Sequence, residues 1–136
     1  MSDQTLLNEV RAKAQPWTQA PHDESTRQTV QTWLDTCESD SDAREALIDS
    51  FYTELSFGTG GMRGEMGPGT NRINATTIAN ATQGLANHLR KLHGEAPEGK
   101  PWRVAIACDS RHRSQEFAQI TAEVLSANGF EAWIYP

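Results

Sequence analysis

Cysteine is scarce in this chain: Cys37 and Cys108 stand far apart, without the short spacing that metal sites use. That excludes a disulfide-stapled scaffold and a zinc module, and leaves free thiols in a reducing cytoplasm as the expectation. Long apolar runs are missing as well. None approaches the roughly 18 residues a membrane span needs, so no membrane role is expected. The opening MSDQTLLNEVRAKAQ is amphipathic and lacks the apolar region of a secretory signal. Positive charge is also short, with 12 Lys and Arg against 18 Asp and Glu, a net charge of −6. Such a balance speaks against nucleic acid as a partner. Glycine is sparse outside one segment: six of the ten fall within residues 58–69.

What is present divides by charge. Residues 1–54 carry eleven acidic and four basic side chains, giving −7, whereas residues 55–136 carry seven and eight, giving +1. The first part reads as a helical lead-in. One helix places Leu6, Leu7, Val10 and Ala14 at helical spacing and stops at Pro16. A second runs from about Asp23 with Val30, Trp33 and Leu34 inward. A third opens at Asp42 with Glu45 three residues on, resembling a capping box, and buries Ala46, Leu47, Phe51 and Tyr52.

Residues 55–136 read as α/β. Asn74 opens a helix with Ile78, Ala81, Leu85, Leu89 and Leu92 on one face, and Gly94 ends it. His88 and His93, five apart, lie on different faces and make no metal pair. WRVAIACD reads as a strand buried on both faces of a parallel sheet. Ser114 is placed to cap the next helix, whose stripe is Phe117, Ile120, Thr121, Val124 and Leu125, and FEAWIY begins a second strand. The fold class is therefore α/β: a helical lead-in, then a strand–helix–strand unit in a mostly parallel sheet layered with helices. At 136 residues the chain has one domain's worth of length.

Two places can carry chemistry. Ligands of open α/β sheets gather beyond the carboxyl ends of strands, where residues 109–113, Asp-Ser-Arg-His-Arg, fall. Asp109 and Arg111 can equally be a pair that only stabilises the turn. The second place is FGTGGMRGEMGPGT at residues 57–70. Backbone N–H groups of a glycine-rich turn form a concave nest for an anion, here Thr59, Gly60 and Gly61, and Arg63 adds a forked donor suited to phosphate. The segment can also be a long hairpin and nothing more. It matches neither the Walker loop nor the dinucleotide fingerprint, having no Gly-Lys-Ser/Thr ending and an arginine at the third glycine position. With Arg72, Arg111 and Arg113 also in or beside loops, spacing alone indicates a phosphate-sized anion site.

FGTGGMRGEMGPGTNRIN, TIANATQGLANHL and VAIACDSRHRSQEFA, in that order, resemble the N-terminal domain of the α-D-phosphohexomutases, the phosphoglucomutase and phosphomannomutase enzymes, most of all their phosphopentomutase-like branch. The resemblance covers about residues 42–136. One departure is Ala107, where many members have glycine. The resemblance implies a four-domain enzyme that interconverts sugar 1- and 6-phosphates through a phosphoserine, a bisphosphate intermediate and a magnesium ion. It implies that Arg63 is catalytic, that Thr59, Gly60, Gly61 and Arg63 bind phosphate, and that Asp109 and Arg111 support the active-site loop.

The family's serine loop resembles Thr-Ala-Ser-His-Asn-Pro, and neither Ser110, Ser114 nor Ser126 has that setting. The expectation is an incomplete first domain, residues 55–136, ending before the serine loop and holding no metal ligand. Such a chain would be inactive alone, and its open sheet edge implies marginal stability or self-association. The alternative is a standalone anion- or partner-binding module that kept the fold without catalysis.

Overall fold

The computed structural model describes residues 3–135, which form two compact units divided at the Asn74–Ala75 junction. In the first, α1 (Asp3–Ala14) buries Leu7, Val10 and Ala14 and gives way at Pro16 to a 3-10 turn, Gln15–Thr18. Asp23 caps α2 (Glu24–Thr36), its carboxylate accepting from the Thr26 N–H at 2.9 Å and the Thr26 hydroxyl at 2.7 Å. The cap of α3 (Ser41–Phe51) is Asp40, not the expected Asp42. Asp40 has extended backbone and accepts from the N–H groups of Asp42 and Ala43, so Asp42 already lies inside the helix.

The core of this unit is Leu7, Val10, Ala14, Trp17, Val30, Leu34, Cys37, Leu47 and Phe51. Trp17 meets Phe51 edge-on at 5.5 Å, and His22 stacks on Trp17 at 4.3 Å. Ala46 is half-buried, and Tyr52, expected inside, is 50% exposed because it caps the helix end instead of continuing the apolar stripe.

The glycine-rich segment begins as a very short hairpin. Strand β1 (Phe57–Gly58) pairs antiparallel with β2 (Gly61–Met62) around a Thr59–Gly60 turn. Beyond it the chain returns to α3. Gly69, at φ +123°, is pressed on the helix end: a Cβ there would overlap the Ser50 carbonyl oxygen and stand 2.8 Å from the Ser50 Cβ. The compact unit thus extends past Glu54 because residues 69–72 pack and hydrogen-bond on α3.

In the second unit, α4 (Ala75–His93) is followed by β3 (Arg103–Ala107), α5 (Ser114–Ala127) and β4 (Glu131–Tyr135). Strands β3 and β4 are parallel, in register from Arg103 opposite Glu131 to Ala107 opposite Tyr135. The expected strand–helix–strand unit is present, and the chain is α/β. Its core joins Ala86, Leu125 and Phe130 with Leu89, Val104, Ile106 and Ala132. Asn128 exchanges side-chain hydrogen bonds with Gln83 at 2.8 and 3.0 Å, tying α4 to the end of α5.

Three expectations shift here. Strand β3 is covered on one face: Val104 and Ile106 are half-buried, while Ala105 and Ala107 lie exposed beside Trp133 and Tyr135 of β4. The buried face of α5 is Ala118, Ala122 and Leu125, because small side chains bring the helix against its neighbours. On α4 the buried residues are Thr82 and Ala86, while Leu85 and Leu92 are 44% and 61% exposed. The Thr82 hydroxyl tolerates burial by donating to the Ile78 carbonyl at 2.8 Å.

Two glycine substitutions separate close approach from mere flexibility. Gly69→Ala should lower the melting temperature substantially, since it combines positive φ with overlap on α3. Gly84→Ala, inside α4 with open space around it, should stabilise its helix by about 0.5–1 kcal/mol. Thermal melts of both variants check this; equal and small effects would refute the packing role of Gly69.

Candidate functional site

Four arginines lie in or beside the loops, and their partners sort them. The Arg72 side chain is 13% exposed, and its guanidinium pairs with the Asp49 carboxylate. It also donates to the carbonyls of Asp49 at 3.4 Å and Asn71 at 3.2 Å. Arg113, in left-handed backbone at φ 61°, forks onto Glu116 at 2.7 and 2.5 Å and lies 5.1 Å from the Phe117 ring centre. Arg111 donates to Asp109 at 2.7 Å. Arg63, directly after β2, makes no ion pair or hydrogen bond with any described residue, and Glu65 does not engage it.

The free guanidinium of Arg63 folds back over the hairpin turn. A Cβ on Gly60 would stand 2.9 Å from its terminal nitrogen. Thr59, Gly60 and Arg63 are exposed and Gly61 is half-buried, at φ +102° with open space on its Cβ side. The structure therefore brings these four residues together. A planar, always-charged fork above bare backbone suits a bidentate oxyanion.

Asp109 and Arg111 are together too, in the second unit. The Asp109 carboxylate accepts from the Arg111 N–H at 3.0 Å and from its guanidinium, while the Asp109 N–H donates to the Ser114 hydroxyl at 3.1 Å. Ser114 is thus the first residue of α5, with Arg113 in the cap position, and its hydroxyl closes the preceding turn. The Arg111 N–H first, then its guanidinium, hold the Asp109 carboxyl below the usual carboxylate range. Both side chains are open to solvent, so the pair shapes the turn and contributes little stability.

Asn74 and Asp49 escaped the sequence reading as loop residues. Asn74, 9% exposed, donates its side-chain amide to the carbonyls of Gly67 at 2.8 Å, Gly69 at 2.9 Å and Arg72 at 3.4 Å. An asparagine before an apolar helix reads as a cap, and no local pattern links Asp49 to Arg72. His93 leans on Trp102 at 5.7 Å. Among the described residues no three His, Cys, Asp or Glu side chains are grouped to hold a metal ion, and no helix is long and apolar enough to cross a membrane.

A parallel strand–helix–strand unit preceded by a glycine-rich hairpin makes the chain α/β. Residues 54–136 match the family model of phosphoglucomutase/phosphomannomutase α/β/α domain I, and the chain belongs to that family. The matched region contains Arg63, Asp109 and Arg111. A probable phosphoribomutase of Schizosaccharomyces pombe is 31% identical over 119 residues, covering 88% of this chain and 19% of that protein. A phosphoglucomutase of Staphylococcus haemolyticus is 37% identical over 95 residues, or 70% of this chain and 16% of that one. A phosphomannomutase of Mycoplasma pneumoniae is 33% identical over 90 residues, or 65% and 16%. The chain thus spans less than a fifth of the length of these relatives. No solved structure matches it significantly.

The Asp109 turn gives a direct titration test. By carboxyl ¹³C NMR, Asp109 should titrate below the ordinary value of about 3.9. Being lowered on folding, this group contributes stability above its unfolded value, and the contribution is lost as pH falls through the folded one. Arg111→Ala should raise the midpoint only in part, because the backbone N–H remains. Full return to the ordinary value would show the guanidinium to be the main cause.

Proposed function

We propose that this chain is the phosphate-gripping portion of a phosphosugar mutase. The parent enzyme would interconvert sugar 1- and 6-phosphates, or the 1- and 5-phosphates of a pentose, through a phosphoserine and a sugar bisphosphate. The observation that carries this reading is Arg63, the loop arginine without a partner among the described residues, on a glycine hairpin inside the family match. Its two parallel N–H donors would hold two oxygens of the transferring phosphoryl group, while Thr59, Gly60 and Gly61 let the backbone approach. Asp109 and Arg111 would brace the loop after β3.

Magnesium would neutralise phosphate charge in such an enzyme. Among the described residues no three His, Cys, Asp or Glu side chains are grouped to hold it. Ser110, Ser114 and Ser126 are not proposed as the phosphate carrier; Ser114 already serves the Asp109 turn. We place the parent enzyme in the cytoplasm, supported by two unpaired cysteines.

In the full-length enzyme, Arg63→Lys should lower kcat by about 10²–10³ with an unchanged melting temperature, since a point charge replaces the preorganised fork. A kcat within a few-fold of the parent would remove Arg63 from the active site. The chain by itself, purified free of host mutase, should not turn over glucose 1-phosphate with magnesium and bisphosphate activator. Turnover would contradict the assignment of the nucleophile elsewhere.

A further inference from the structure

We infer that Asp49 is a positioning residue for Arg63: through Arg72 it fixes the base of the phosphate-gripping hairpin on α3. The inference rests on the proposed phosphate role of Arg63.

The hairpin cannot hold itself. With two paired residues per strand it is far below what an isolated hairpin needs for stability in water. Its position must come from its base. Leading into it, the Leu55 N–H donates to the Thr70 carbonyl at 2.9 Å; leading out, the Ile73 N–H donates to the Glu65 carbonyl at 2.8 Å. Both ends are therefore lashed to residues 70–73.

That segment is in turn held by the end of α3. The last carbonyls of a helix have no partner within it. Here the Asn71 side chain donates to the Asp49 carbonyl at 2.9 Å, and the Asn71 N–H to the Ser50 carbonyl at 3.0 Å. Arg72 adds a guanidinium where the helix macrodipole is negative, and the Asp49 carboxylate fixes its direction. The helix cannot shift, because Leu47 and Phe51 are wholly buried. A continuous set of contacts thus runs from the core through Asp49 and Arg72 to Glu65, two residues along the chain from Arg63. The Asp49 side chain itself is 57% exposed and outside the core, so its charge can be removed without opening a cavity.

The test is a double-mutant cycle on this chain with inorganic phosphate, using Asp49→Asn and Arg63→Ala, together with amide hydrogen exchange at residues 60–63. Asp49→Asn should weaken phosphate binding on the order of fivefold with Arg63 present and leave it unchanged in the Arg63→Ala background. It should also speed exchange in the hairpin, with the exchange of α1 unaltered. Unchanged or tighter phosphate binding, an equal loss in both backgrounds, or unchanged hairpin exchange would each overturn the inference. If Arg63→Ala leaves phosphate binding intact, the phosphate role of Arg63 fails and the inference with it. Faster hairpin exchange in Asp49→Asn would then mark that failure as lying in the phosphate reading and not in the clamp.

Discussion

The approach of residue 69 to the last turn of α3 sets where the glycine-rich segment and its hairpin sit in the first unit. The backbone comes so near Ser50 that a side chain has no room, and this contact lets Asn71 and Arg72 reach the helix-end carbonyls. Satisfied carbonyls, a favourable macrodipole and the Asp49 carboxylate all act at one place. The hairpin with Arg63 is carried on this base.

Glycine density in this segment therefore has two physical causes. At Gly64 and Gly69 the cause is internal: added side chains would meet Leu55 or Ser50. At Gly60 and Gly61 the surroundings are the Arg63 side chain and open space, so backbone there is bare toward solvent. Charge follows the same division. Arg72, Arg111 and Arg113 are matched by Asp49, Asp109 and Glu116, and Arg63 keeps its full donor capacity. A donor set left unmatched beside exposed glycine backbone is the feature that fits an external phosphate.

Local signals in the sequence were readable where the cause was local. The start of α2 near Asp23, the stop at Pro16 and the β3–α5–β4 alternation depend on residues within a turn or two of one another. The family resemblance, too, rested on short contiguous motifs, and it agrees with the family match. Features set by distant partners were not readable. Nothing near Arg72 announces Asp49, 23 residues away, so four loop arginines looked alike. The buried face of α4 differs from its apolar stripe because Thr82 hides its hydroxyl on the Ile78 carbonyl, while Leu85 is left outside. Two-sided burial of β3 was inferred from composition, which does not record how many helices cover a strand.

The claim that Arg63 alone among the loop arginines is free for phosphate is open to one direct measurement. Side-chain ¹⁵N–¹H signals of Arg63, Arg72, Arg111 and Arg113 can be followed in one titration of this chain with inorganic phosphate. The account expects a saturable shift of the Arg63 signal while the other three, held by their carboxylates, stay in place. A shift of Arg72 or Arg111 with Arg63 unmoved would contradict it.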